Sequence, residues 1–403
     1  MKILLIHQTY WPHAGGAETC MKQQAELFVA HGHEIRVVTG SGDPSSETYE
    51  VITIEEMHPD NELNLKVKKA VDHGQTDASF QEFTGKLTNL IKPHAEWADV
   101  IIDHGGLTTH FNLSLTRALW DIAEIRPTIA WAHDFTPTNK SYALPCPDHK
   151  PWSLMKTAQP KVTYVAVSSL RQKELCKVLD LSPDTVRMIE PTVDVHDCLG
   201  LDPLFLKRLE PWNILDRDIV FYYPTKLLQR KNIDMAFQMV AKVRESGINA
   251  MLAVSGAPDP YHSSGPQYRA YLEQQPELLN IQEHACFLSK VFQDPLVGWQ
   301  QMFRIADVIL FPSGYEGFGL PVLEALFHKL PCWSALPPKP IEWPNSHIIQ
   351  IRTPEEASAQ AQKLMDSSSH RERREWLRLH DSKQLHSGKY LPLIQAAITG
   401  FDG

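Results

Sequence analysis

Short apolar runs of strand length alternate with amphipathic helical stretches along all 403 residues, which predicts an α/β chain of two Rossmann-like doubly wound lobes facing a central cleft. Three observations carry this reading. Ile3–Ile6 reads as a buried strand, Ala17–His31 as an amphipathic helix stopped by Gly32, and Glu34–Thr39 as the next strand, which together make one βαβ unit. The alternation breaks near Pro191, passes through a mixed stretch rich in Asp, Leu and Pro, and restarts with a strand at Ile219–Tyr223. The length allows each half its own hydrophobic core.

Taken in order, the first half continues with strands expected at Val51–Ile54, Val100–Asp103, Thr128–Ala132 and Tyr164–Val167. In the second half, Asn232 is expected to cap a helix that places Ile233, Phe237, Val240 and Val243 on one face. Strands follow at Ala250–Ser255, around Ala285–Leu288, at Val308–Phe311 and at His347–Ile351, and His370–Arg378 reads as a charged helix with a solvated face. The implied divisions are a first lobe over 1–195, a linker over 196–217, a second lobe over 218–385, and a tail over 386–403 with room to pack back toward the first lobe.

Composition narrows the function. Hydrophobic residues make up 43% and charged residues 22%, as in ordinary globular proteins, and a net charge of −9 gives no global attraction to nucleic acid or anionic lipid. Met1–Ile6 is too short for a secretory signal and no run of 18 apolar residues occurs, so no integral membrane segment is expected. Cys20, Cys146, Cys176, Cys198, Cys286 and Cys332 form no C-x-x-C pair, which suits reduced thiols and a cytoplasmic location. Asp216-Arg-Asp218 has a D-x-D pattern but reads as the end of the linker, and His94, His104 and His110 lack ligand spacing, so no metal is expected. Lys66, Lys68 and Lys69 read as a solvated helix face.

The most informative stretch is Glu316-Gly-Phe-Gly-Leu-Pro-Val-Leu-Glu324. It follows the strand Val308–Phe311, and Gly317 and Gly319 permit unusual dihedrals and close approach to a ligand. Pro321 suits the first turn of a helix, so the loop amides are expected at a helix N-terminus, where anions bind. Three other patches accompany it: Gly15-Gly16-Ala-Glu18 after the first strand, Trp131-Ala-His133-Asp134 at the end of another, and Thr225-Lys226-Leu-Leu-Gln-Arg-Lys231-Asn232 after the first strand of the second half.

With these four patches the chain resembles the family 4 glycosyltransferases, retaining enzymes of the two-lobed GT-B fold that move a sugar from a nucleotide diphosphate sugar to an acceptor. The resemblance covers nearly the whole length. It implies an acceptor-side first lobe and a donor-binding second lobe, with no cofactor beyond the nucleotide-sugar co-substrate. By resemblance Glu316 holds donor-sugar hydroxyls, Glu324 holds the ribose hydroxyls, and the amides of Gly317, Phe318, Gly319 and Leu320 lie near the phosphates. Lys226 and Lys231 bind the diphosphate, Gly15 and Gly16 face it, and His133 contacts the hexose near the reacting carbon. Lys226 stands where the family usually has arginine, replacing a bidentate fork with a point charge. Pro191-Thr-Val-Asp194 stands where the family often has Asn-Gly-Val-Asp, which implies a stiffer hinge.

On the acceptor side, Tyr10 and Trp11 are candidates for stacking on a sugar ring, and Asp134 is a further candidate contact. The Pro-rich insert Phe135–Trp152, with Asp148, His149 and Lys150, is either an acceptor-recognising loop or a surface excursion. The expected activity is metal-independent hexosyl transfer from a donor of the GDP-mannose or UDP-glucose type to a small soluble or glycoside acceptor. The alternatives are a sugar-nucleotide 2-epimerase and a non-catalytic nucleotide-sugar binding subunit.

Overall fold

The computed structural model describes the whole chain except residues 44–47, 192, 257–264, 293–294, 337–346, 380–384 and 403, so Thr192 of the expected hinge lies outside the described residues. Two compact units are present: Met1–Val193 together with Ser382–Gly403, and Asp194–Asp381.

The first unit holds a parallel sheet of β1 (Lys2–His7), β2 (Glu34–Thr39), β3 (Glu50–Thr53), β4 (Val100–Asp103), β5 (Thr128–Ala132), β6 (Val162–Ala166) and β7 (Arg187–Met188). Its strand order is β3-β2-β1-β4-β5-β6-β7. Side chains alternate across a strand with period two, and here both faces are buried. Ile3, Leu5, Val37, Ile102, Ile129 and Trp131 pack on one face with Met21 and Phe28 of the Gly16–Ala30 helix. Leu4, Ile6, Val38, Ile101 and Ala130 pack on the other face with Phe83, Leu87 and Ile91 of the Ala78–Trp97 helix.

The C-terminal segment completes the first of these layers. Leu385, Tyr390, Leu393 and Ile394 lie in the same buried cluster as Ile3 and Phe28. Each such side chain contributes roughly 1.5–3 kcal/mol by burial, so this segment is part of the core.

The second unit repeats the plan with β8 (Ile219–Tyr223), β9 (Ala250–Val254), β10 (Ala285–Phe287), β11 (Val308–Phe311), β12 (Cys332–Ser334) and β13 (Ile348–Gln350), in the order β10-β9-β8-β11-β12-β13. Both sheets therefore run third, second, first, fourth, fifth, sixth, the Rossmann order, and both reverse direction of growth beside their first strand.

Three expectations need correction. The 196–217 stretch is no free linker, because Leu201, Phe205, Leu209 and Ile214 are buried in the second core. Asn232 stands before the Ile233–Glu245 helix, but it is left-handed (φ 48°) and gives that helix no side-chain cap. Its Nδ2 instead donates to Pro312 O (3.0 Å), and asparagine tolerates this backbone region. The Ser368–Leu379 helix is charged, yet His370 and Arg374 are buried and gather with Arg373 around the buried Asp307.

Candidate active site

In the second unit β8 and β11 are neighbours, with Val308 beside Phe221 and Ile309 beside Tyr222, and the strand order reverses between them. In doubly wound sheets ligands bind beyond the carboxyl ends at such a reversal. The loop after β8 carries Thr225 to Lys231, and the loop after β11 carries Pro312 to Gly319. Polar contacts stitch the two together. Tyr223 Oη donates to Lys231 O (2.7 Å) and shares a hydrogen bond with Ser313 Oγ (2.8 Å). Gly314 N donates to Arg230 O (2.9 Å), and the Arg230 guanidinium donates to Tyr315 O (3.0 Å).

This frame brings Lys231 Nζ into a direct ion pair with Glu316 Oε1, with side chains only 12% and 8% exposed. Arg230 lies 3.6 Å from the other Glu316 oxygen. Lys226 is exposed on the same loop, so three cations accompany one carboxylate, an excess of positive charge suited to a diphosphate. Gly319 is left-handed (φ 81°) and begins the Leu320–Phe327 helix, whose first turn contains Pro321. First-turn amides have no intrahelical partner and carry the positive end of the helix dipole. Gly317 needs no such freedom, because its φ is not in the left-handed region. Phe318 and Leu320 are exposed beside it, and Glu324 is exposed on the next turn of the same helix.

In the first unit three adjacent strands, β1, β4 and β5, bring their carboxyl ends together, with His7 ending β1, His104 following β4 and His133 following β5. His104 Nδ1 and His133 Nε2 are 2.9 Å apart, and the rings stack at 5.2 Å. Burial keeps all three imidazoles neutral. It pushes His133 down to about 3, with His7 adding to the effect, and holds His104 well below the ordinary histidine value. Burial also lowers His7, partly offset by Glu18, whose Oε1 is 3.8 Å from Nε2.

Ligand spacing gives His104 no role, and the signal that finds it is positional. It lies in Asp103-His104-Gly105-Gly106, where the buried Asp103 carboxyl accepts from Gly106 N (2.9 Å) and Leu107 N (2.8 Å). Burial pushes this acid up to about 7 even though both bonds oppose the shift. Gly105 is left-handed (φ 98°), and a Cβ on Gly106 would meet Leu119 Cδ1 at 2.5 Å, so both glycines are required for this turn.

Cys20 joins His104 and His133 with donor atoms within 4.8 Å of one another, a set that could hold a metal ion. Two nitrogens sharing a tetrahedral ion at about 2.0–2.1 Å would stand roughly 3.3 Å apart. The observed 2.9 Å is the separation of a hydrogen bond.

The remaining candidates divide. Gly15 is extended and precedes the Gly16–Ala30 helix. Its missing side chain leaves room for the Glu18 carboxylate, since a Cβ there would meet Oε2 at 2.1 Å, and Thr9 Oγ1 donates to that carboxylate (2.6 Å). The Glu18 carboxylate therefore sits against Gly15 at the turn that opens this helix. Tyr10 is a correction: it is 2% exposed in the core with its hydroxyl bonded to Tyr49 (2.8 Å), so its ring has no face for a sugar. Trp11 is 45% exposed, with Lys22 Nζ 5.4 Å from its ring.

Asp134 is held by Arg171 (3.0 Å), Asn139 Nδ2 (2.8 Å) and Phe135 N (2.8 Å). Burial resists its ionisation, but these groups and Tyr142 outweigh it and keep the carboxyl below its ordinary value. It therefore anchors the insert that follows, whose ends Phe135 and Trp152 are buried. A cavity of about 480 Å³ beside Lys150, lined by Thr84, Thr88 and Arg117, belongs to the flank of the Ala78–Trp97 helix and not to the strand ends.

Two Rossmann-ordered parallel units, the second carrying a basic loop and a Glu-x7-Glu loop at its switch point, define a glycosyltransferase of the GT-B fold. Residues 14–197 match the model of Glycosyltransferase Family 4, and residues 207–375 match that of Glycosyl transferases group 1. The chain belongs to this glycosyltransferase family. An uncharacterised glycosyltransferase of Methanocaldococcus jannaschii is 25% identical over 342 residues, covering 81% of this chain and 78% of that protein. The mannosylglucosylglycerate synthase of Thermotoga maritima is 22% identical, covering 82% and 79%. A D-inositol 3-phosphate glycosyltransferase of Corynebacterium aurimucosum is 24% identical, covering 77% and 72%. Among solved structures, a glycosyltransferase from Rickettsia africae aligns over 98% of each chain at 14% identity with a TM-score of 0.40.

Proposed function

We propose that this glycosyltransferase is a retaining, metal-independent hexosyltransferase that takes its hexose from a nucleotide diphosphate sugar, of the GDP-mannose or UDP-glucose type, and delivers it to a hydroxyl of a small soluble or glycoside acceptor. The observation that carries the reading is the Lys231–Glu316 pair at the switch point of the second unit, with Arg230 beside it and Lys226 on the same loop.

A donor of this kind is anionic at its diphosphate and neutral and hydroxyl-rich at its sugar. Lys231 without ligand is satisfied by Glu316. With donor bound, the lysine turns to the phosphate and the carboxylate accepts from sugar hydroxyls, so each replaces one partner by another. Charge grows on the departing diphosphate as the bond from the anomeric carbon to phosphate oxygen breaks, and fixed cations and helix-terminal amides stabilise that growth. Gly317, Phe318, Gly319 and Leu320 supply the amides, Glu324 takes the ribose hydroxyls, and His133 takes the polar contact to the hexose. The acceptor oxygen forms the new bond on the same face, and its proton leaves with the diphosphate. Lys226, Arg230 and Lys231 together supply the positive charge that a divalent ion would otherwise bring to the leaving group.

The small acceptor is supported by the names of the relatives, a mannosylglucosylglycerate synthase and a D-inositol 3-phosphate glycosyltransferase. Among the described residues no helix is long and apolar enough to cross a membrane, and the six cysteines are free, which supports action in the reducing cytoplasm.

A thermal-shift panel of nucleoside diphosphates and their sugars tests the donor, since a ligand at a hundred times its Kd adds about 2.7 kcal/mol of stability. A guanosine or uridine diphosphate sugar should shift the melt, and transfer should persist in EDTA. No shift with any nucleotide sugar, or loss of transfer on chelation, would contradict the reading.

A further inference from the structure

We propose that His104 is a positioning residue that fixes the tautomer of His133, so that His133 presents Nδ1–H as a hydrogen-bond donor toward the hexose. The inference rests on the assignment of His133 to the hexose and adds the group that sets its hydrogen-bonding sense.

The argument is one of donor and acceptor accounting. His104 is wholly buried, and its Nε2 has no hydrogen-bond partner among the described residues. A buried N–H left without an acceptor is rarer and costlier than a buried lone pair left without a donor. The hydrogen of neutral His104 therefore belongs on Nδ1, the nitrogen 2.9 Å from His133 Nε2. His133 Nε2 is then the acceptor of that bond, and a neutral His133 carries its hydrogen on Nδ1. That leaves Nδ1–H as the atom offered outward by a ring whose other nitrogen is occupied.

The surroundings hold this arrangement. Asp103 and the two glycines lock the loop that carries His104, and its ring stacks on the buried Trp131 at 5.9 Å. His7 ends β1 nearby, while Cys20 and Glu18 approach from the Gly16–Ala30 helix. Burial keeps the pair from taking up a third proton, so the two nitrogens share one hydrogen. Nothing in the sequence spacing of 29 residues points to this pairing, whereas the strand order β1-β4-β5 makes it unavoidable.

The test is spectroscopic first. In full-length protein labelled with ¹⁵N-histidine, the resonances lost in His133→Asn identify His133 among the 19 histidines. Long-range ¹H–¹⁵N spectra then show which of its nitrogens bears hydrogen. The expected result is Nδ1 protonated and Nε2 unprotonated in the unsubstituted enzyme. His104→Ala should convert a large share to the Nε2–H form and lower kcat/KM for transfer about tenfold, the worth of one well-made hydrogen bond. His104→Asn, whose Nδ2 can donate to His133 Nε2, should restore both the tautomer and most of the rate.

Hydrogen on Nε2 of His133 in the unsubstituted enzyme would overturn the proposal without recourse to any His104 variant. So would a His133 tautomer unchanged in His104→Ala. If His133→Ala transfers at the unsubstituted rate, the assignment of His133 to the hexose fails, and the tautomer spectra still judge the positioning claim separately.

Discussion

The two units solve the problem of holding polar chemistry at a strand end in opposite ways. In the second, Lys231, Arg230 and Glu316 are charged and paired, on loops stitched by backbone contacts, and each charge already has a partner. In the first, His7, His104 and His133 are neutral, and His104 and His133 are hydrogen-bonded to each other. The same strand order thus supports an electrostatic grip in one unit and a neutral, directional contact in the other. A charge on the wholly buried His104 would cost more than its hydrogen bond returns, whereas Lys231 and Glu316 offset the cost of their burial by the attraction between opposite charges.

The sharpest way to break this contrast is to remove a charge from the second unit. Lys231→Met should cut transfer by about 10²–10³-fold, the loss typical of one group that stabilises developing negative charge. It should also weaken nucleoside diphosphate binding by calorimetry. An unchanged rate would mean that the leaving group is neutralised elsewhere.

Next in size is the response to acid. The folded-state values of His7, His104 and His133 lie below the ordinary 6.5, so the unfolded chain takes up protons first and stability present above pH 6.5 is lost as pH falls. Asp103 acts in the opposite sense, because its value raised to about 7 makes folding less costly once it is protonated. Three protons outweigh one, and each net proton is worth about 1.4 kcal/mol per pH unit. Hydrogen exchange between pH 7.5 and 5 should show the first unit losing protection before the second. The histidines His33 and His386, 2.8 Å apart and both lowered chiefly by burial, place the C-terminal segment on the same acid-sensitive side.

A smaller effect is expected at Gly319. An alanine there must hold φ near 81°, which costs roughly 1–2 kcal/mol, and the melting temperature of Gly319→Ala reads it directly. The smallest is expected at Tyr10. Tyr10→Phe removes the bond to Tyr49, worth about 1 kcal/mol, and should leave the acceptor KM unchanged, which separates a core tyrosine from a sugar-stacking one.

These cases show what was legible in the sequence. Val100–Asp103, Thr128–Ala132, Ile219–Tyr223 and Val308–Phe311 were readable to the residue, because doubly buried strands are uninterrupted apolar runs with abrupt ends. Lys231 and Glu316 were readable as members of loops that follow such strands, and the structure brings them together across 85 residues. His104 was not readable, since its partner is set by strand order and not by spacing. Tyr10 turns into the core although it lies beside a glycine loop, because proximity in sequence says nothing about which way a ring points. The charged run His370–Arg378 hid two buried residues, because the acid that receives them, Asp307, comes from a distant strand start.

The central claim is that Glu316 and Lys231 exchange each other for the two ends of a sugar diphosphate. The most direct measurement is the transfer rate of Glu316→Gln at saturating nucleotide sugar, taken with its affinity for the free nucleoside diphosphate. The account predicts a fall of about a hundredfold or more in rate with diphosphate affinity retained or improved, since Lys231 is then released from its partner. A variant that transfers at the unsubstituted rate would contradict it.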